Sequence, residues 1–189
     1  MSDQAAGWRP TPIAGVHRRR TVAHADARGA FTELWRTSWT APFDDARFVQ
    51  ANLSRSLPRV LRGLHVHAHQ ADLWTVLTGV GMVALVDLRA ALGPAGGPPR
   101  TTVLPVETGD QLYIPRLVAH GFYAHTELSL CYLVTAEYDG SDEAGFAWDD
   151  ADAAVPWPDR DPILSDRDRA NPALADFLAR LRAERTRGA

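Results

Sequence analysis

Three of the chain's seven histidines, His65, His67 and His69, stand at alternate positions in the stretch LRGLHVHAHQADLW. Side chains alternate across a β-strand, so on a strand these imidazoles share one face and Leu64 and Val66 take the other. The segment that follows, DLWTVLTG, is apolar on both faces and reads as the buried centre of a sheet. The histidines are therefore expected to face an interior rather than solvent. Imidazole titrates near neutral pH, which suits a general base, and its neutral form is a good metal ligand. A His-x-His pair offers two such groups from one strand face.

The elements that must position these groups are short and separated by turns. The chain has 189 residues, with 14 glycines and 13 prolines. That length predicts one domain, 1–189. Strands are expected in the TPIAGVHRRRTVAHADARGAF stretch, in Ala46–Ser54, in PRVLRGLHVH, and in TTVLPV, QLYIP, HGFYAH and ELSLCYLVTAEY. Asp72–Arg89 reads as two strands joined as a hairpin near Gly79–Gly81, and Ala91–Pro99 as a loop. This spacing predicts an all-β barrel or sandwich. On the ELSLCYLVTAEY strand, Leu128, Leu130, Tyr132 and Val134 share one face, which aims Tyr132 inward. The barrel core is expected over about 26–138, with an irregular segment and a short amphipathic helix in 139–189. Asn171 and Pro172 mark the start of that helix, and Leu174, Phe177, Leu178 and Leu181 recur at its period.

Charge and cysteine content narrow the class. The formal charge is −3, which gives no basic field for nucleic acid or an anionic membrane. Arg18–Arg20 reads as a solvated turn. The one cysteine, Cys131, suits a reducing compartment. The opening MSDQAAGWRP has no apolar core of a signal sequence, and no apolar run approaches the length of a membrane span, so a cytoplasmic protein is expected.

Two resemblances sharpen this reading. The spacing of His65, His67, Asp72 and Gly79, followed by Gly109, Pro115 and His120, resembles the two motifs of metal-binding cupins. Asp72 stands where those have glutamate, and Leu117 where they have glycine. A second resemblance covers about 26–168. ARGAFTELW, FVQANLSRS, VLRGLH, VALVDLR, GDQLYIP, AHGF, LCYLVTAEY, GFAWDD, VPWP and PILSDRD follow one another as in the dTDP-4-dehydrorhamnose 3,5-epimerase family, a branch of the cupin barrels. That resemblance implies a cupin-type double-stranded β-helix, or jelly-roll. It also implies an isomerase that epimerises C3 and/or C5 of a dTDP-4-keto-6-deoxyhexose, with no cofactor and as a homodimer. Carried over position by position, His65 is the base, Asp168 the carboxylate that pairs with it, and Tyr132 the acid. Arg28, Glu33, Gln50, Asn52, Arg62, His120 and Tyr138 match the substrate-binding positions.

Two residues depart from the family pattern. His67 replaces its usual glutamine, and Asp72 replaces its usual lysine. Removing a proton α to a ketone puts negative charge on the ketone oxygen, which a nearby cation stabilises and a carboxylate opposes. The expected resolution is a metal-free site in which His67 or His69 pairs with Asp72 as an imidazolium. The alternatives are a related 4-keto-sugar isomerase, a divalent metal held by His65, His67, Asp72 and His120, and a barrel that binds a sugar nucleotide without turning it over.

Overall fold

Strands that follow one another along this chain mostly land in opposite sheets, and that alternation makes the cavity. The computed structural model describes residues 7–39, 43, 47–94, 96–140 and 142–187. Its strands are β1 (Arg9–Pro10), β2 (His17–Arg20), β3 (Ala23–Asp26), β4 (Gly29–Thr32), β5 (Gln50–Ser56), β6 (Leu61–Val66), β7 (Asp72–Thr78) and β8 (Val80–Asp87), followed by β9 (Arg100–Glu107), β10 (Asp110–Ile114), β11 (Val118–Ala124), β12 (Leu128–Val134) and β13 (Ala144–Gly145). Three helices complete it: α1 (Arg89–Leu92), α2 (Asp166–Arg169) and α3 (Leu174–Arg187).

One sheet has the order β1-β2-β10-β7-β12-β5 and the other β13-β6-β11-β8-β9. Chain order therefore runs β5, β6, β7, β8 from sheet to sheet, and β9, β10, β11, β12 likewise. This is the jelly-roll expected from the sequence. The expected 72–89 hairpin is corrected. β7 pairs with β10 and β12, whereas β8 pairs with β11 and β9. Gly79 carries the crossing between sheets at φ +95, where a Cβ would stand 2.1 Å from the Glu127 carbonyl oxygen. The glycine signal was sound, but it marks a corner of the barrel and not a hairpin turn.

Between the sheets, Val76, Val83, Leu85, Leu112, Ile114, Phe122 and Leu130 fill one end of the barrel. A second cluster lies on the outer face of the β6-containing sheet, where Leu64, Val66, Ala84 and Val86 meet Phe146 and the Leu174, Phe177 and Leu178 face of α3. Leu64 and Val66 thus point away from His65 and His67, as strand alternation requires. The expected C-terminal helix is present, starting three residues after Asn171. The strand expected from Ala46 runs instead from Gln50 to Ser56, and Ala46 itself lies outside the described residues. β2 already belongs to the barrel sheet, through its pairing with β10. β3 and β4 form a separate two-stranded sheet around the turn DARG. None of the described helices is long and apolar enough to cross a membrane.

Candidate active site

A cavity of about 420 Å³ opens between the sheets, and its walls are built from cross-strand rows. On one wall Asn52, Tyr132 and Trp74 lie side by side across β5, β12 and β7, with Gln50, Val134 and Asp72 in the next row. On the other wall His65 of β6 sits opposite His120 of β11, and Arg62 opposite Phe122. One residue separates His120 from Phe122 but two separate Arg62 from His65, so β6 carries an extra residue there. This β-bulge matters because side chains three apart on a regular strand face opposite ways. With it, both Arg62 and His65 line the cavity. Gly63 makes the bulge at φ +124, packed so close to Gly121 that a Cβ would meet the Gly121 Cα at 2.6 Å.

His65 Nε2 donates to Asp168 Oδ1 at 2.7 Å. A carboxylate only accepts, so Nε2 holds the ring proton and Nδ1 is left as the basic nitrogen. Asp168 arrives on α2, a single turn whose N-cap is Ser165, and the Ser165 hydroxyl binds the Asp168 amide at 3.1 Å. Burial alone would raise the Asp168 carboxyl. The hydrogen bond and charge of His65, with bonds from Ser165 and the Gly63 backbone, outweigh it and hold the group below the ordinary carboxylate range.

Tyr132 lines the cavity from the opposite sheet. Burial raises its phenol, and the charge of Asp72 raises it further, so the hydroxyl stays protonated at neutral pH. His120 is 4% exposed, and its Nδ1 donates to the Val118 carbonyl oxygen at 3.0 Å. Burial pushes this ring down to about 4, with the charge of Asp72 opposing only in part, so it is neutral. His67 Nδ1 donates to the Asp142 carbonyl oxygen at 2.7 Å. Asp72, 3% exposed, accepts from Gln70 Nε2 at 2.8 Å and from Trp74 Nε1 at 3.1 Å.

Most residues expected at the site converge there. Gln50, Asn52, Arg62, His65, His120, Tyr132, Tyr138 and Asp168 all line the cavity. Arg28 and Glu33 do not. They lie on or just beyond the β3–β4 hairpin, where Arg28 pairs with Asp26 and Glu33 with Arg36. His69 is also displaced from the expected face. β6 ends at Val66, and His69 lies in the exposed turn beyond it, where its amide donates to Asp142. Of the four residues in the alternative metal reading, His65 stays outside the cluster. The three that come together are His67, Asp72 and His120.

Sequence reasoning missed Asp142, whose carboxylate takes the amides of Ala68, His69 and Gln70 and so shapes the turn that presents His67. Nothing local in the sequence marks it. It also missed Glu143 and Arg167, an ion pair at the cavity. Ser165-x-x-Asp168 is a helix-start signal that would have found α2. Leu117, which replaces a motif glycine, takes the left-handed backbone at φ 63, so the turn keeps its shape without glycine.

The fold defines the class, a cupin-type barrel, and its interior cavity carries a histidine–aspartate pair on one wall and a phenol on the other. The family model described as dTDP-4-dehydrorhamnose 3,5-epimerase matches residues 10–176. The chain belongs to that family, whose members are isomerases. A dTDP-4-dehydrorhamnose 3-epimerase of Streptomyces niveus is 34% identical over 174 residues, covering 89% of this chain and 84% of the relative. A dTDP-4-dehydrorhamnose 3,5-epimerase of Pseudomonas aeruginosa is 36% identical over 157 residues, 80% of this chain and 86% of the relative. The crystal structure of a 3,5-epimerase from Legionella pneumophila, in complex with dTDP-4-keto-L-rhamnose, superposes with a TM-score of 0.80 at 31% identity, covering 92% of this chain and 95% of that one.

Proposed function

We propose that this protein epimerises C3 and/or C5 of a dTDP-4-keto-6-deoxyhexose in deoxysugar biosynthesis. The observation that carries the reading is the His65–Asp168 pair on one sheet facing the cavity that Tyr132 lines from the other. His65 Nδ1 takes the proton α to the ketone. The C–H electron pair moves into the carbonyl to give an enolate, and Asp168 stabilises the imidazolium that forms. The Tyr132 phenol then delivers a proton to the opposite face of that carbon, and the sugar returns to the ketone with inverted configuration. His65 and Tyr132 regain their starting protonation by exchange with solvent. Each partner of such a pair supplies about 10²–10⁴-fold. Arg62 and Arg167 at the cavity suit the diphosphate, because guanidinium binds phosphate oxygens in pairs.

The working unit in this reading is a cytoplasmic homodimer. Arg28 and Glu33 then reach the substrate from a second copy, on the β3–β4 hairpin. Two features support that arrangement. Phe31 on the hairpin is 67% exposed, and β5, which ends its sheet, exposes Leu53, with exposed Leu57 just beyond it.

The deciding experiment is proton exchange in deuterium oxide. Deuterium is expected at C3 or C5 of a dTDP-4-keto-6-deoxyglucose incubated with the protein, and none with His65→Ala. Absence of uptake from every dTDP-4-keto sugar tried overturns the reading.

A further inference from the structure

One carboxylate in the cavity wall raises a problem that the acid–base set leaves unsolved. Asp72 is a buried carboxylate whose hydrogen-bond donors, Gln70 and Trp74, are both neutral. All 20 basic residues of the chain are arginine, so no lysine ammonium can serve this site. The side-chain bonds of the two arginines at the cavity go to groups other than Asp72, Arg62 to Ser56 and the Arg55 carbonyl, and Arg167 to Glu143. An uncompensated buried carboxylate costs several kcal/mol, roughly, even after the surroundings relax. It would also oppose the negative charge that develops on a ketone oxygen.

We infer that His67, Asp72 and His120 form a divalent-cation site in the cavity wall, and that the cation supplies the positive charge the enolate needs. The second half of that statement rests on the epimerase reading; the first half does not. One ligand atom from each residue lies within 4.8 Å of the others, and His120 Nε2 is already 3.7 Å from Asp72 Oδ2. Bonds of about 2.0–2.1 Å to zinc require ligand atoms roughly 3.3 Å apart, a small inward rotation of His67 away.

The tautomers are set for it. His67 Nδ1 and His120 Nδ1 each face a carbonyl oxygen, of Asp142 and Val118, and a carbonyl only accepts. Both rings therefore carry their proton on Nδ1 and hold the Nε2 lone pair free. Metal-ligating histidines are oriented in this way, by donating the other ring nitrogen to a carbonyl or carboxylate. Asp72 is likewise held by Gln70 and Trp74, as a ligating carboxylate is. Two imidazoles and one carboxylate on one side leave positions open on the cavity side for water or a ketone oxygen, and suit zinc, iron, nickel or manganese. The strongest objection to a metal here is that a base cannot also be a ligand. That objection applies to His65, and His65 is outside the triplet.

The test begins with the full chain purified without an affinity tag or chelator. Elemental analysis should find one divalent transition metal per chain. Cobalt(II) added to chelator-treated protein should bind in a 1:1 ratio with a visible absorption band. His67→Ala and Asp72→Ala should weaken that binding more than about 100-fold, Gln70→Ala about 10–100-fold, and His65→Ala should leave it in place. Circular dichroism checks that each variant is folded. His67→Gln is a second, milder ligand change should His67→Ala unfold. Asp72→Lys, which carries its own cation, should bind no cobalt and keep exchange in chelator. Cobalt binding that fails to saturate at 1:1, or that survives His67→Ala and Asp72→Ala, overturns the site. Exchange at C3 or C5 unchanged by chelator overturns the proposed role while leaving the epimerase reading intact. A 1:1 site lost in the two variants, in a protein that turns over no dTDP-4-keto sugar, supports the site and sinks the epimerase reading instead.

Discussion

His65 Nε2 and Asp168 Oδ1 meet at 2.7 Å although 103 residues separate them in the chain. The bond fixes which ring nitrogen is basic. Asp168→Asn can present an amide N–H to Nε2, which would move the ring proton to Nδ1 and remove the base. A fall in kcat of about 10²–10⁴-fold is expected, with KM changed far less. A variant with near-normal kcat would show that Asp168 has no part in setting the tautomer.

The same pair makes stability depend on pH. The folded carboxyl of Asp168 is held below its unfolded value. Its contribution is therefore complete above the unfolded pKa, about 3.9, and is lost as pH falls through the lower folded value. Urea midpoints of wild type and Asp168→Asn should differ at pH 6 and converge as pH drops below about 4. A gap that widens toward acid would contradict this sign.

Tyr132 stays protonated because burial and Asp72 both raise its phenol. Tyr132→Phe keeps the ring and removes the proton. The first deuterium exchange, which needs only the base, should persist, while inversion slows about 10²-fold or more. The readout is the ratio of exchanged to inverted product by NMR. Equal loss of both would place Tyr132 outside the proton-delivery step.

Gly63 is the point where β6 gains its extra residue. A side chain there meets the His120 carbonyl oxygen at 2.8 Å as well as the Gly121 Cα, at φ +124. Gly63→Ala should cost about 1–3 kcal/mol of stability. It should also lower kcat, because Arg62 and His65 share the cavity only through this bulge. Melting temperature and kcat measured on one preparation check both effects. A stable variant of normal activity would show that the bulge tolerates a side chain.

Much of this protein is local in origin and therefore legible in its sequence. Alternation along β6 and the residue just past it put His65 and His67 on one face and Leu64 and Val66 on the other, because strand period depends on the backbone alone. Alternation likewise aimed Tyr132 inward, and the Asn171–Pro172 signal announced α3. Ordered motifs, more than any single spacing, pointed to Asp168 as the partner of His65. Other features depend on which strands become neighbours, and no local pattern encodes that. The apolar run from Asp72 to Arg89 carries a glycine at its middle whether it folds as a hairpin or crosses between sheets. Only the pairing of β7 with β12 and of β8 with β11 decided for the crossing. The bulge at Gly63 shifted Arg62 onto the face of His65 against the period of the strand. Tertiary pairing brought His67, Asp72 and His120 together as a triplet apart from His65. The chain fixed which groups were available, and tertiary pairing decided which of them meet, because contacts across a barrel form between residues whose separation in sequence sets no distance between them.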